Sequence, residues 1–137
     1  MTDNTIQERS LARIRMKYAY EYLKNRTSGD EIKTRLKGLP VEMRMNGLAV
    51  VGAKLCASTE YKEKIIGKML AEWLLEKCPS SPFKTKTSLE QQNNPLKQLL
   101  DLCIKANRFE YEAAQVEALT FLEQAKLIAE ALWPEGS

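Results

Sequence analysis

The sequence contains no histidine, and its six glycines and five prolines are scattered through 137 residues. Histidine is the side chain most often used as a general base and as a metal ligand, so its absence removes the commonest catalytic and metal-binding arrangements. The glycines form no loop of the kind that holds phosphate groups. We therefore predict no catalytic residue, no metal site, no cofactor and no small-molecule substrate.

Cysteines and long apolar runs are also scarce. Cys56, Cys78 and Cys103 are odd in number and widely spaced, which predicts buried free thiols and neither a disulfide framework nor a zinc site. The longest apolar run is Gly47–Ala53, whereas a membrane-spanning helix needs about 20 apolar residues. The N-terminal segment MTDNTIQERS is polar and lacks the apolar core of a secretion signal. These features predict a cytoplasmic protein with no membrane partner.

The abundant residues favour helices. Leu, Ala, Glu, Lys, Gln and Met dominate the sequence, and these are strong helix formers. The length fits one domain, which typically holds roughly 100–150 residues. We therefore predict an all-α, compact single-domain bundle of five to seven helices over residues 1–137.

Turn residues and helical spacing divide the chain into six helical segments and one loop. The third helix has almost no polar face, so we expect it to be central and nearly fully buried, with Gly47 and Gly52 allowing close approach of a neighbouring helix. We predict a surface loop at 79–95. The predicted helices are approximately Thr5–Asn25, Asp30–Lys37, Val41–Ala57, Glu60–Lys77, Asn94–Ala106 and Phe109–Trp133. The fourth carries one apolar stripe, formed by Ile66, Met69, Leu70, Trp73 and Leu74.

Charge is distributed unevenly along the chain. Residues 1–100 contain 18 Lys or Arg and 11 Asp or Glu, whereas residues 101–137 contain 3 and 7 respectively. This division suits a polyanion on one face and a protein neighbour on another, although two ordinary solvated faces give the same pattern.

The first helix carries the most suggestive surface. Helical spacing places five residues on one face, and we name them the basic stripe: Arg9, Arg13, Lys17, Tyr20 and Lys24. Cations neutralise phosphates and an aromatic ring can stack on a base, so we predict that the basic stripe binds RNA, extended by Lys33 and Lys37. The alternative is a solvent-exposed helix face without a ligand. The opposite side is predicted to face the core through Leu11, Ile14, Tyr18 and Tyr22.

Three patches of sequence together resemble a known family. Leu39-Pro40 precedes Asn46-Gly47-Leu48, and Trp73-Leu74 closes the fourth helix. The last helix adds Tyr111, Glu117-Ala118-Leu119, Phe121-Leu122, Lys126 and Ala129. In this order and spacing they resemble the small helical subunit of the type III-B (Cmr) CRISPR RNA-silencing complex, from roughly the first helix to Ala129.

The resemblance implies a non-catalytic subunit of a ribonucleoprotein effector complex that acts in antiviral defence. It implies contact with other subunits, with copies of itself, and with the guide RNA and target RNA whose duplex the subunit helps to hold. Lys126 matches the family pattern and is a further candidate RNA contact. The alternative function is a protein-interaction adaptor that docks subunits by charge complementarity and never touches nucleic acid.

Overall fold

The computed structural model describes residues 3–84 and 94–135, with side chains from Glu8 onward. The predicted all-α class is confirmed, and no strand occurs within these ranges. A π-helical turn at Trp73–Lys77 continues the fourth helix. None of the described helices is long and apolar enough to cross a lipid bilayer. The α-helices are α1 (Asp3–Leu23), α2 (Gly29–Asn46), α3 (Leu48–Ala57), α4 (Tyr61–Glu72), α5 (Pro95–Lys105) and α6 (Arg108–Leu132).

The longest helix, α6, packs against both α1 and α2. It runs parallel to α1, because Arg15 contacts Glu117 while Tyr18, further along α1, contacts Phe121, further along α6. It runs antiparallel to α2. The α2 direction follows from two cross-helix pairs, Lys33 with Trp133 and Arg44 with Glu123.

One hydrophobic core receives side chains from all six helices. The apolar stripe predicted for the fourth helix is confirmed, since all five of its side chains are fully buried. Trp73 stacks on Phe121 of α6, with the two ring centroids 5.1 Å apart. Burial of each large apolar side chain contributes roughly 1.5–3 kcal/mol to folding, so this shared core is the main source of stability.

The helix break predicted between Lys37 and Val41, at Gly38-Leu39-Pro40, is wrong. α2 continues through Pro40, which has no N–H to donate to the carbonyl of Leu36. An interior proline costs about 3 kcal/mol. α2 offsets this cost by burying Leu36, Leu39 and Met43 completely. Tertiary packing therefore keeps as one helix a segment that local sequence signals divide.

The break lies instead at Gly47, whose φ of 89° and ψ of 163° are open essentially only to glycine. Side chains of α6 then bind the first free N–H groups of α3. The Leu48 N–H donates to Gln115 Oε1 at 3.1 Å, and the Ala49 N–H donates to the Tyr111 hydroxyl at 3.0 Å. The close approach predicted at Gly47 is confirmed, because a Cβ there would lie 3.0 Å from the Tyr111 hydroxyl.

The near-complete burial predicted for the third helix is not confirmed. Val50 is 44% exposed, and Met45, which lies in α2, is 78% exposed. The close approach predicted at Gly52 is not found among the described residues: Gly52 is buried, but no described atom outside its own stretch of helix lies within 4 Å of the position that a Cβ would take. α3 therefore buries one face, which contains Val51 and Leu55, and leaves the other open.

The segment predicted as a surface loop, 79–95, is described only at its two ends. Phe83 is fully buried and Ser81 is nearly so, which anchors residues 79–84 in the core. At the other end the side chain of Asn94 accepts a hydrogen bond from the Lys97 N–H and caps α5, as the predicted helix start requires. The loop prediction for residues 85–93 lies outside the described residues.

Candidate nucleic-acid interface

The basic stripe lies along the solvent-facing side of α1. Arg9, Arg13 and Lys17 are exposed, and Tyr20 is 45% exposed. These three cations form no ion pair with any side chain that the structure describes. A helix rises 1.5 Å per residue, so the eight residues from Arg9 to Lys17 span about 12 Å. Three positive charges with no described counter-charge therefore follow one edge of the molecule.

Lys24, at the end of the basic stripe, has partners within α1. Its Nζ lies 3.1 Å from Glu21 Oε2 and 5.7 Å from the centroid of the Tyr20 ring. Exposed ion pairs of this kind contribute only about 0.2–1 kcal/mol. A stronger anion such as a phosphate can therefore compete with Glu21 for this ammonium group.

The prediction that Ile14 faces the core is wrong. Ile14 is 41% exposed, and together with Ser10, Arg13 and Lys17 it lines a shallow cavity of about 290 Å³. Sequence reasoning missed this exposed position because it assigned Ile14 to the inner face of α1. The other side chains predicted to face inward do pack against the core: Leu11, Tyr18 and Tyr22.

Arg15 takes a buried position on the inner side of α1, with only 4% of its surface exposed. Its Nε and Nη2 donate to Glu117 Oε2 and Oε1 at 2.7 and 2.8 Å, and Trp73 Nε1 donates to Glu117 Oε2 at 2.9 Å. The hydrogen bonds to Glu117 hold the pKa of Arg15 above its usual value. This network fixes the rotation of α1 about its axis and so turns the basic stripe outward.

Tyr18 forms a second anchor for α1. Its hydroxyl donates to the Met69 carbonyl at 3.0 Å and lies 3.3 Å from Glu72 Oε2. Burial raises the pKa of Tyr18 well above its usual range, so the hydroxyl keeps its proton for this hydrogen bond. The ring also lies 5.6 Å from the Trp73 ring, which joins the polar anchor to the aromatic core.

The two lysines predicted to extend the basic stripe lie in different environments. Lys33 is 6% exposed, and its ammonium donates to the carbonyl of Trp133 at the end of α6. A cation at a helix C-terminus satisfies a free carbonyl and opposes the negative end of the helix dipole, so Lys33 stabilises the packing of α2 on α6. Lys37 has a 52% exposed side chain and a loose 3.8 Å contact with Glu135.

Lys126 lies on a different face of the molecule from the basic stripe. It is partly buried on α6, nine residues after Glu117. Nine residues make about two and a half helical turns, so Lys126 points away from the carboxylate that binds Arg15 of α1. The structure therefore does not bring Lys126 together with the basic stripe.

The predicted burial of the cysteines is confirmed for Cys78 and Cys103, whereas Cys56 is only partly buried. Burial raises the pKa of the Cys103 thiol to about 12 and the pKa of the Cys78 thiol above its usual value. Both thiols are therefore protonated and weakly nucleophilic at neutral pH. In the part of the chain that the structure describes, no group of three or more Cys, Asp or Glu is placed to hold a metal ion.

A family model described as CRISPR-associated protein (Cas_Cmr5) matches residues 11–132, which is nearly the whole of the helical bundle. The chain belongs to the Cas_Cmr5 family. The family is the small subunit of the type III-B Cmr complex, so the resemblance found in the sequence is confirmed. No curated protein sequence and no solved structure matches the chain.

The sequence patches that resemble the Cas_Cmr5 family contact one another in the fold. Tyr111 accepts a hydrogen bond from Ala49, which follows Asn46-Gly47-Leu48, and Trp73 donates to Glu117. These patches therefore stabilise the packing of α3, α4 and α1 against α6. The basic stripe makes a separate surface, and its first member, Arg9, precedes the residues that the Cas_Cmr5 model matches.

Proposed function

We propose that the chain is a non-catalytic small subunit of a type III-B CRISPR effector complex and helps to hold the guide RNA paired to its target RNA. Its partners are then other subunits of the complex, copies of itself and the two RNAs, in cytoplasmic antiviral defence. One observation supports the RNA-binding part of this proposal. Arg9, Arg13 and Lys17 face solvent without ion pairs to any described side chain, while Arg15 anchors the other side of α1.

Phosphate contact is the use that best fits the chemistry of the basic stripe. Each Lys or Arg that meets a phosphate releases bound counterions, which supplies affinity without regard to base sequence. In RNA-guided complexes base pairing reads the sequence and the protein recognises the backbone. Tyr20 and Ile14 add exposed apolar surface beside the charges, on which a base or a ribose can pack.

The proposed RNA-binding set differs from the sequence prediction in one member. Lys24 and Lys37 stay in the set with Arg9, Arg13 and Lys17, because each has a surface ion pair that a phosphate can replace. Lys126 stays in the set as a contact on a separate face. We leave Lys33 out, because its ammonium is buried and donates to the end of α6.

The described side chains support a non-catalytic role. Arg35 binds the two carboxylates of Glu42 and Glu63 at 2.8 and 3.0 Å, so these acids are used in an ion-pair network. The buried thiols of Cys78 and Cys103 stay protonated at neutral pH. Cleavage of a bound RNA is then the work of another subunit.

A protein-interaction adaptor that never touches RNA is the second candidate function. It is favoured by the acidic balance of residues 101–137 and by Phe109, which is 84% exposed on α6. Exposed aromatic side chains are frequent anchors of protein interfaces. The two functions differ in whether the chain contributes to salt-dependent binding of RNA by the complex.

Purification of the tagged chain from its native host tests the proposed function. We expect it to co-purify with other Cmr subunits and with guide RNA, and the separated chain to show no nuclease activity with any divalent metal. Recovery without Cmr subunits, or with those subunits but no RNA, would contradict the proposal. Nuclease activity that disappears with a point mutation in this chain would contradict its non-catalytic part.

A further inference from the structure

A groove of about 510 Å³ lies between the N-terminal halves of α1 and α6. Its α6 wall contains Phe109, Ala113 and Val116, which share one helical face because they are four and three residues apart. Phe109 is 84% exposed and Val116 is 64% exposed, and Leu11 of α1 forms the facing wall. Apolar side chains at this spacing form a continuous strip along the wall, on which the apolar face of an amphipathic helix can lie.

The rim of the groove is negatively charged. Glu8 and Glu112 line it, and their side chains are 72% and 61% exposed. Arg15, the cation in the lining, forms a bidentate pair with Glu117 and a looser 3.8 Å contact with Glu8, so three carboxylates face one guanidinium among the lining residues. Arg108 lies 3.1 Å from Glu112, but both side chains are mostly exposed to solvent and the pair contributes little. The groove therefore suits a partner with cations beside its apolar residues.

The groove and the basic stripe lie on opposite sides of α1. Leu11 is two positions from both Arg9 and Arg13. Because an α-helix turns by about 100° per residue, residues two positions apart point in nearly opposite directions. The buried Arg15 and Glu117 form the floor of the groove and hold α1 in this rotation. A polyanion on the basic stripe and a protein on the groove can therefore be bound together.

We propose that the groove docks a helical segment from a different subunit of the effector complex, in which aliphatic side chains are flanked by Lys or Arg. The aliphatic side chains pack on Phe109 and Val116, and the cations meet Glu8 and Glu112. This inference rests on the proposed function for the existence of a complex, but it does not depend on RNA contact by the basic stripe.

Site-specific crosslinking in the reconstituted complex identifies the occupant. A photoreactive benzophenone amino acid replaces Val116 in one sample and Met45, which is 78% exposed on α2, in the control sample. We expect a Val116-specific crosslink to another subunit, at a peptide with aliphatic residues within about one helical turn of Lys or Arg. A crosslink to RNA, to a second copy of this chain or within the same chain, or none above the Met45 control, overturns the proposal.

Two matched pairs of variants measure the energetic role of the groove in binding to the remaining subunits. Phe109→Ser should weaken association roughly thirtyfold, the scale expected for a central aromatic anchor, while Met45→Ser should leave it unchanged. Glu112→Lys should weaken it and reduce its salt dependence, whereas Glu60→Lys, a change on the exposed α3–α4 connection, should not. If the groove variant and its control change association equally in both pairs, the docking site is overturned. If the groove variants assemble normally and basic-stripe variants still bind RNA weakly, only this inference fails.

Discussion

Arg15 and Glu117 are 102 positions apart in the sequence, and they form a buried bidentate ion pair between α1 and α6. Both carboxylate oxygens accept from the guanidinium, and one also accepts from Trp73 of the π-helical turn. The pair therefore joins three helical elements and determines which side of α1 faces solvent. The outward direction of the basic stripe depends on this buried contact.

Glu117→Gln should lower the free energy of unfolding by about 3–5 kcal/mol, because it leaves the buried guanidinium of Arg15 without its counter-charge. Urea denaturation of the purified chain measures this change. Glu112→Gln is the matched control on the same helix, since its side chain is 61% exposed, and it should change stability by about 0.5 kcal/mol or less. Similar losses in the two variants would show that the buried pair has no special importance.

Gly47→Ala and Gly52→Ala should have opposite effects. Gly47 has a φ of 89°, where a non-glycine residue costs about 1–3 kcal/mol, and its new Cβ would press on the Tyr111 hydroxyl. Gly52 is helical and the described residues leave room for a Cβ, so alanine there should gain up to about 1 kcal/mol. Thermal unfolding of both variants checks the signs. A rise in melting temperature for Gly47→Ala contradicts a helix break at Gly47, and a large fall for Gly52→Ala contradicts free space for a Cβ at Gly52.

Glu42→Gln should reveal a pH-dependent contribution to stability. The hydrogen bond from Arg35 lowers the pKa of Glu42 below its ordinary value of 4.5 in the folded state. The charged carboxylate therefore stabilises the fold above that unfolded-state value, and the contribution is lost as the pH falls through the lower folded pKa. We expect a loss on the order of 1 kcal/mol at neutral pH, which shrinks as the pH falls below that ordinary value. If the difference in unfolding free energy between the wild type and Glu42→Gln stays constant or grows on acidification, this role of Glu42 is contradicted.

Lys33→Met should lower the stability of the fold without weakening RNA binding. It removes the charged hydrogen bond to the Trp133 carbonyl, a bond worth roughly 1.5–3 kcal/mol, and should leave RNA capture by the folded subunit unchanged. Lys37→Gln is the control, because its 52% exposed side chain contributes little to folding. Weaker RNA capture by folded Lys33→Met at unchanged stability would return Lys33 to the RNA-binding set.

Helical periodicity is sufficient to predict α4, α5 and α6. It fails where a residue depends on a distant partner. The interior position of Pro40 is possible because Leu36 and Met43 are buried by other helices, and local rules register only the cost of the proline. The break at Gly47 requires a backbone conformation that glycine permits but that its presence alone does not specify.

The candidate interface shows the same limit. A hydrophobic pattern assigns Ile14 to the core and gives no reason to bury Arg15, yet the structure does the reverse because Glu117 of α6 binds the guanidinium. The sequence pattern also marks Lys33 as a surface cation, because it does not show that the end of α6 lies beside this residue. The outward cations of the basic stripe need only helical spacing, so that part of the interface is predictable from sequence.

The most direct test of RNA binding by the basic stripe is capture of target RNA by the reconstituted complex across a range of salt concentrations. One variant carries Arg9→Gln, Arg13→Gln and Lys17→Gln, and a control removes equal charge from three exposed lysines on α4 and α5: Lys64, Lys68 and Lys97. The stripe variant should bind more weakly, and its slope of log affinity against log salt should be shallower by up to about 0.7 for each single-strand phosphate that is no longer neutralised. Wild-type affinity and slope in an assembled stripe variant, or an equal effect in the control, would contradict RNA binding by the basic stripe.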